Sequence, residues 1–248
     1  MIQIRGLKKR LGTRNVLDGV DLDIPTGKTV VIMGRSGTGK SVLLKHIIGL
    51  MKPDAGSIKV DDTELVGLNE RDLNLVRIRF GLLFQGGALF DSMTVGGNVG
   101  LPLREHTPMK PAEIEARVRE RLEWVGLKDV ENVTPASLSG GMRKRVGLAR
   151  AIAMDPAYIL YDEPTTGLDP IMSDVINQLI RSMQTRMGVT GIVVTHDMNS
   201  AYHVGDFLAM LHEGKVVFTG TPDEARNTSD PMVRQFIEGS SEGPIKPL

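Results

Sequence analysis

Apolar and polar residues alternate along the first two dozen positions. Ile2 and Ile4 flank Gln3, and Val20, Leu22 and Ile24 are separated by Asp21 and Asp23. A period of two sends one set of side chains inward, so these stretches predict half-buried antiparallel strands. Pro25-Thr26-Gly27 is a turn. The run Val30-Val31-Ile32-Met33 does not alternate, which predicts a buried strand. Lys52-Pro53-Asp54-Ala55-Gly56 is another turn, and Ile58 and Val60 begin a further strand. Residues 70 to 79 are charged and predict a helix, after which Phe80-Gly81-Leu82-Leu83-Phe84 reads as a short apolar strand ending at Gln85.

From about residue 86 to 157 the period changes. Pro111 suits the first turn of a helix, Ile114, Val118, Leu122 and Val125 recur at helical spacing, and Gly126 stops it. Between Gln85 and about His106, Leu89, Phe90, Met93 and Val95 stand among glycines, which predicts a deformable backbone. After Ser139-Gly140-Gly141-Met142 a basic helical run reaches about Met154. The strand character returns at Tyr158-Ile159-Leu160-Tyr161. Pro170 opens a helix with Val175, Ile176, Leu179, Ile180 and Met183 on one face, and Ile192-Val193-Val194-Thr195 is a buried strand. Phe207–Leu211 and Lys215–Thr219 flank His212-Glu213-Gly214, a hairpin signal. The class is α/β: a core with an antiparallel β subdomain, interrupted by a helical insertion. Residues 239 to 248 show no periodicity and read as a tail.

The chain has 248 residues, 41% of them apolar, enough for a sizeable core. Lys+Arg and Asp+Glu both number 30, a balance that argues against a nucleic-acid binder. There is no cysteine, which excludes disulfides and thiol chemistry. No apolar run approaches the roughly 18 residues of a membrane span, so a membrane role would come through a partner.

Candidate chemistry concentrates at Gly34-Arg35-Ser36-Gly37-Thr38-Gly39-Lys40-Ser41, which lies between an apolar strand and a helical run. That context fits a phosphate-binding loop. Its glycines let backbone N–H groups turn toward an anion, and the helix N-terminus adds partial positive charge. Lys40 can reach the β- and γ-phosphates, and the Ser41 hydroxyl suits Mg²⁺. Asp162 and Glu163 end a buried strand, at the sheet edge where α/β proteins bind ligands. Asp162 suits Mg²⁺, and Glu163 suits a general base acting on water. His196 also follows a buried strand and would sit beside the γ-phosphate if the strands are neighbours. Ser139 reads as a helix N-cap followed by glycines, which makes a second anion-binding helix start.

With Leu138-Ser139-Gly140-Gly141-Met142, these motifs together resemble the ATP-binding-cassette (ABC) ATPases over nearly the whole chain. Gly34–Ser41 looks like the family's phosphate loop, Gln85 its Q-loop glutamine, and Leu138–Met142 its signature. Asp162-Glu163 resembles the Walker B end, Gly167-Leu168-Asp169 the D-loop, and His196 the switch histidine. The resemblance implies a P-loop NTPase fold, ATP and Mg²⁺, with Ser41, Gln85 and Asp162 around the metal, partly through water. It implies catalytic roles for Glu163, His196 and Lys40. It also implies a head-to-tail homodimer in which Leu138, Ser139, Gly140, Gly141 and Met142 touch ATP held by the other copy. In domain terms, residues 1–238 form one ATPase domain, with core 1–85 and 158–238, a helical insertion at about 86–157, and the tail 239–248.

Two departures stand out. Met142 replaces the more usual Gln. No aromatic residue precedes Phe80 to stack on adenine, so the planar guanidinium of Arg10 is the candidate and base selectivity is expected to be loose. Within the family the chain is most similar to ATPases of MCE-type and Mla (maintenance of lipid asymmetry) systems. That rests on Leu-Phe-Gln-Gly-Gly-Ala-Leu-Phe at 83–90, Pro-Leu-Arg-Glu-His-Thr at 102–107, the signature, and Val-Arg-Gln-Phe at 233–236. It implies a peripheral subunit on the cytoplasmic side of the inner membrane, a permease that receives the Leu89–Phe90 surface, an MCE-type partner and phospholipid cargo. A transporter for an amino acid or other small solute, or a soluble non-transport ABC ATPase, are the alternatives. The second is opposed by a single motif set and the absence of a heptad run.

Overall fold

A computed structural model describes residues 1–246. The chain forms two compact units, one built from Met1–Asn69 together with the chain from Ile192 onward, the other from Glu70–Gly191. The alternating N-terminal residues form β1 (Ile2–Leu11) and β2 (Arg14–Ile24), antiparallel, with Ile2 opposite Ile24 and Ile4 opposite Leu22. The inward set is fully buried at Ile2, Ile4, Val20 and Ile24. Next come β3 (Thr29–Met33), α1 (Lys40–Ile47), β4 (Ala55–Val60) and β5 (Thr63–Glu64). Strand β4 pairs with the free edge of β1, completing a four-stranded antiparallel sheet in the order β2-β1-β4-β5.

The second unit starts with α2 (Glu70–Arg77) and β6 (Phe80–Leu83). Helices α3 (Val95–His106), α4 (Pro111–Trp124) and α5 (Gly140–Ala151) follow, then β7 (Tyr158–Asp162), parallel to β6, and α6 (Pro170–Met187). The helical section 86–157 lies wholly inside this unit, which also takes in α2, β6, β7 and α6. Pro111 occupies the first turn of α4, and Gly126 follows it with φ 71°. Helix α3 contradicts the deformable backbone read from its glycines. Thr94 caps it by accepting from the Gly97 amide at 3.0 Å, and Val95, Val99 and Leu103 are buried along one face. Val95 is therefore core, not docking surface. Packing of a four-residue apolar repeat outweighs the low helix propensity of Gly96, Gly97 and Gly100.

Strand β8 (Thr190–Thr195) crosses the division between units and is buried throughout. In the first unit, α7 (Met198–Val204) leads to β9 (Phe207–His212), which pairs parallel with β3 and antiparallel with β10 (Lys215–Gly220). Glu213 (φ 46°) and Gly214 (φ 76°) supply the two left-handed residues that the hairpin signal requires. Helices α8 (Pro222–Arg226) and α9 (Pro231–Glu238) complete the unit. Beyond α9 the chain folds back. Gln235 exchanges hydrogen bonds with the Ile245 backbone, accepting from its N–H at 2.7 Å and donating to its carbonyl at 2.8 Å, and Ile245 is buried. Residues 247 and 248 of the expected tail lie outside the described residues.

His46 in α1 is buried and has Val42 O 2.7 Å from Nδ1. Burial is the largest influence and holds its pKa below the ordinary histidine value; the Val42 carbonyl opposes the shift, Lys9 adds to it, and Asp54 opposes it. The unfolded chain thus takes up a proton near pH 6.5 while the folded chain does not. Stability is at its full value above that pH and falls as pH drops toward the folded pKa. We expect the melting temperature to decline between about pH 7.5 and about 5.5, before the carboxylates titrate. His46→Gln should flatten that part of the profile, and an unchanged slope would assign the titration to another group.

Candidate functional site

The first unit holds the glycine loop. Strand β3 is buried at every residue and delivers Met33 to Gly34. A Cβ on Gly34 would lie 2.4 Å from the Leu211 carbonyl oxygen, and one on Gly39 would lie 2.9 Å from Val16, so close backbone approach demands glycine at both. Gly39 (φ 102°) is the N-cap of α1 and has no side chain over the helix start. The first-turn N–H groups therefore donate to no capping side chain. Lys40 is buried, and its ammonium donates to the carbonyls of Gly34 at 2.8 Å and Arg35 at 3.0 Å. Thr38 Oγ1 also donates to Arg35 O, at 2.9 Å. The Arg35 guanidinium donates to the Lys246 carbonyl at 2.7 Å, which ties the chain end to the loop. Ser36 and Gly37 are exposed and Ser41 is half-buried. His196, exposed, follows β8 directly, and Asp197 behind it caps α7. Arg10 is exposed, and its Nε donates to Gly12 O at 3.0 Å.

The second unit holds the remaining predicted residues. Gln85 is exposed just past β6. Gly86, Gly87 and Ala88 all have positive φ (79°, 85° and 44°). That turn is gripped by Arg150, near the end of α5, which donates to the carbonyls of Gly87 and Ala88, each at 2.9 Å. Asn98 of α3 holds Phe90, two residues on, donating to Phe90 O at 3.0 Å and accepting from Phe90 N at 2.7 Å. Phe90 itself is half exposed, at 50%, with Leu89 and Met93 partly covered.

Ser139 caps α5 as its sequence predicts, accepting from Met142 N at 3.2 Å. Leu138 is buried beneath the turn, Gly140 is exposed and Met142 partly so. Gly141 lies against Met172, whose Cε would be 2.6 Å from a Cβ there. Asp162 ends β7 half-buried. Glu163 follows in the left-handed region (φ 50°) and accepts from the Thr166 hydroxyl at 3.0 Å. Lys144 of α5, buried, donates into the same turn, to Pro164 O at 2.7 Å and Thr166 O at 2.6 Å. Burial holds its pKa below the ordinary lysine value, and the Glu163 charge opposes that shift. Gly167 has φ 78°, Leu168 is half-buried, and Asp169 caps α6 by accepting from Ile171 N and Met172 N at 3.0 Å each.

Lys144, Arg150 and Asn98 escaped the sequence reading. The missed signal was available for Lys144, which shares a helical face with Gly147, Leu148 and Ala151, all buried. A charge on an apolar face must be paired. Among the described residues no group of three or more His, Asp or Glu could hold a metal alone. Ser41 in the first unit, and Gln85 and Asp162 in the second, each carry an oxygen donor of the kind Mg²⁺ accepts.

The family model described as ABC transporter matches residues 17–166, more than half of the chain. The chain is 45% identical over 244 residues to the probable ribonucleotide transport ATP-binding protein Mkl of Mycobacterium leprae, covering 98% of this chain and 70% of that protein. It is 40% identical over 246 residues to the intermembrane phospholipid transport system ATP-binding protein MlaF of Haemophilus influenzae, covering 99% and 93%. A solved ATP-binding cassette, dimeric in a post-hydrolysis state with ADP and Pi, superposes with a TM-score of 0.83 at 34% identity, covering 90% of this chain and 99% of that one. The chain belongs to the ABC transporter family, as an ATP-hydrolysing ATP-binding subunit.

Proposed function

We propose that this subunit powers phospholipid transport, working as a homodimer beneath a membrane permease with an MCE-type protein in the same complex, on the cytoplasmic side of the inner membrane. The observation that carries the reading is identity across almost the full length to MlaF, which is named for intermembrane phospholipid transport. Mkl, named for ribonucleotide transport, favours a second reading in which the cargo is a ribonucleotide. No helix among the described residues is long and apolar enough to cross a membrane, so the subunit would reach its bilayer through the permease.

Residues 1–238 act as one ATPase domain. The ATP phosphates meet the N–H groups of Gly34–Ser41, with Lys40 as counter-charge. Mg²⁺, held by Ser41, Gln85 and Asp162 partly through water, would neutralise phosphate charge. Glu163 takes the proton of the attacking water, and His196 contacts the γ-phosphate. The signature of the second copy presents the Ser139 hydroxyl and the α5 N-terminus to the same phosphate, and Gly167–Asp169 lines the approach between copies. Phe90, held by its backbone and exposed at its ring, meets the permease.

Purification from membranes in mild detergent should bring down a permease, an MCE-domain protein and phospholipid. Recovery with a ribosome, or with a permease carrying ribonucleotide, would overturn the proposal. Phe90→Ala should leave the melting temperature of the isolated subunit nearly unchanged while weakening permease recovery by about 2 kcal/mol or more if the ring is a central anchor. A large drop in melting temperature would return the ring to the core. Glu163→Gln should retain ATP binding and accumulate an ATP-bound dimer, with hydrolysis slower by on the order of 10²–10⁴. Normal turnover would remove Glu163 from the role of base.

A further inference from the structure

We infer that Lys144 is the positioning residue that sets the Glu163 carboxylate for hydrolysis. The inference rests on the reading of Glu163 as the base. Glu163 occupies the left-handed region at φ 50° and precedes Pro164, whose ring restricts the backbone before it. That conformation persists only where its surroundings impose it. The Lys144 ammonium is one part of those surroundings. Lys144 Nζ donates to Pro164 O at 2.7 Å and Thr166 O at 2.6 Å, with a longer contact of 3.4 Å to Glu163 O. An ammonium has three hydrogens, and three carbonyls of one turn face it. The turn is closed by Thr166 N donating to Glu163 O at 3.3 Å, and the Thr166 hydroxyl donates to the Glu163 carboxylate at 3.0 Å. A continuous path therefore runs from the lysine, through Thr166, to the candidate base.

A methionine would fill the same space without the cost of burying a charge, so packing alone does not account for a lysine that is only 4% exposed. The nearby Glu163 charge favours keeping the ammonium charged. Lys144 also sits on the helix that begins at Ser139-Gly140-Gly141. The orientation of the candidate base is thus fixed by the helix whose N-terminus forms the signature.

The test is single-turnover ATP hydrolysis together with equilibrium ATP binding. Lys144→Met should slow hydrolysis by about 10- to 100-fold, the scale of an ångström-level misplacement, with ATP affinity within about threefold of the parent. Lys144→Gln, which keeps two N–H donors, should fall between. Thr166→Val leaves the lysine in place and removes only the hydroxyl that reaches Glu163; it should slow hydrolysis with affinity unchanged, and it decides the matter if Lys144→Met does not fold. Because the lysine acts through Glu163, Lys144→Met should add no further loss to Glu163→Gln. The inference fails if Lys144→Gln and Thr166→Val both turn over within twofold of wild type, or if Lys144→Met multiplies the Glu163→Gln defect by its full factor. A Glu163→Gln enzyme at the wild-type rate sinks the base assignment and this inference together. A slow Glu163→Gln beside an unaffected Lys144→Met sinks this inference alone.

Discussion

A positive charge buried inside a loop of bare backbone is the constraint on which the first unit depends. Lys40 is 6% exposed, and its ammonium donates to the carbonyls of Gly34 and Arg35. An unpaired charge in such a place costs several kcal/mol, on the order quoted for buried ions. Those carbonyls can be brought round it only because Gly34 and Gly39 allow approaches to Leu211 and Val16 that any Cβ would block. Strand β3, fully buried, holds one end of the loop and α1 the other. A carbonyl oxygen carries partial charge, whereas a phosphate oxygen carries more and forms the stronger charge-assisted bond. The proposed role of the loop is to exchange its own acceptors for those of a triphosphate.

Helix α5 plays the corresponding part in the second unit. Ser139 caps its start, Lys144 on its buried face holds the Glu163 turn, and Arg150 near its end holds the Gly87–Ala88 turn beside Gln85. A helix interior is stiff at the scale of a hydrogen bond, so a displacement of α5 moves both turns. Asn98 extends that grip to Phe90. The candidate base and the turn beside the exposed glutamine are in this way held by α5, and the proposed permease surface is held by Asn98 of α3.

Much of this was legible in the sequence, and for particular reasons. Period-two alternation gave β1 and β2, Pro111 and Gly126 bracketed α4, and Glu213-Gly214 marked the hairpin, because each signal is local. Helix α3 was not legible: Gly96, Gly97, Gly100 and Pro102 all argue against a helix, and only burial of Val95, Val99 and Leu103 overrides them. The fold-back of the tail escaped for a similar reason, since it is held by the Gln235 amide, the Arg35 guanidinium and the apolar Ile245, with no repeat to reveal it. At the candidate site the residues with motif spacing could be named in advance. Those that hold them in place, Lys144, Arg150 and Asn98, act through backbone carbonyls, and no spacing encodes that.

The central claim is that Lys40 and its glycine loop bind the phosphates of ATP. Equilibrium titration of Mg-ATP into purified wild-type and Lys40→Ala subunits tests it most directly. Loss of the buried ammonium should weaken binding at least about a hundredfold, about 2.7 kcal/mol, with the fold retained by circular dichroism. Binding within twofold of wild type would contradict the account.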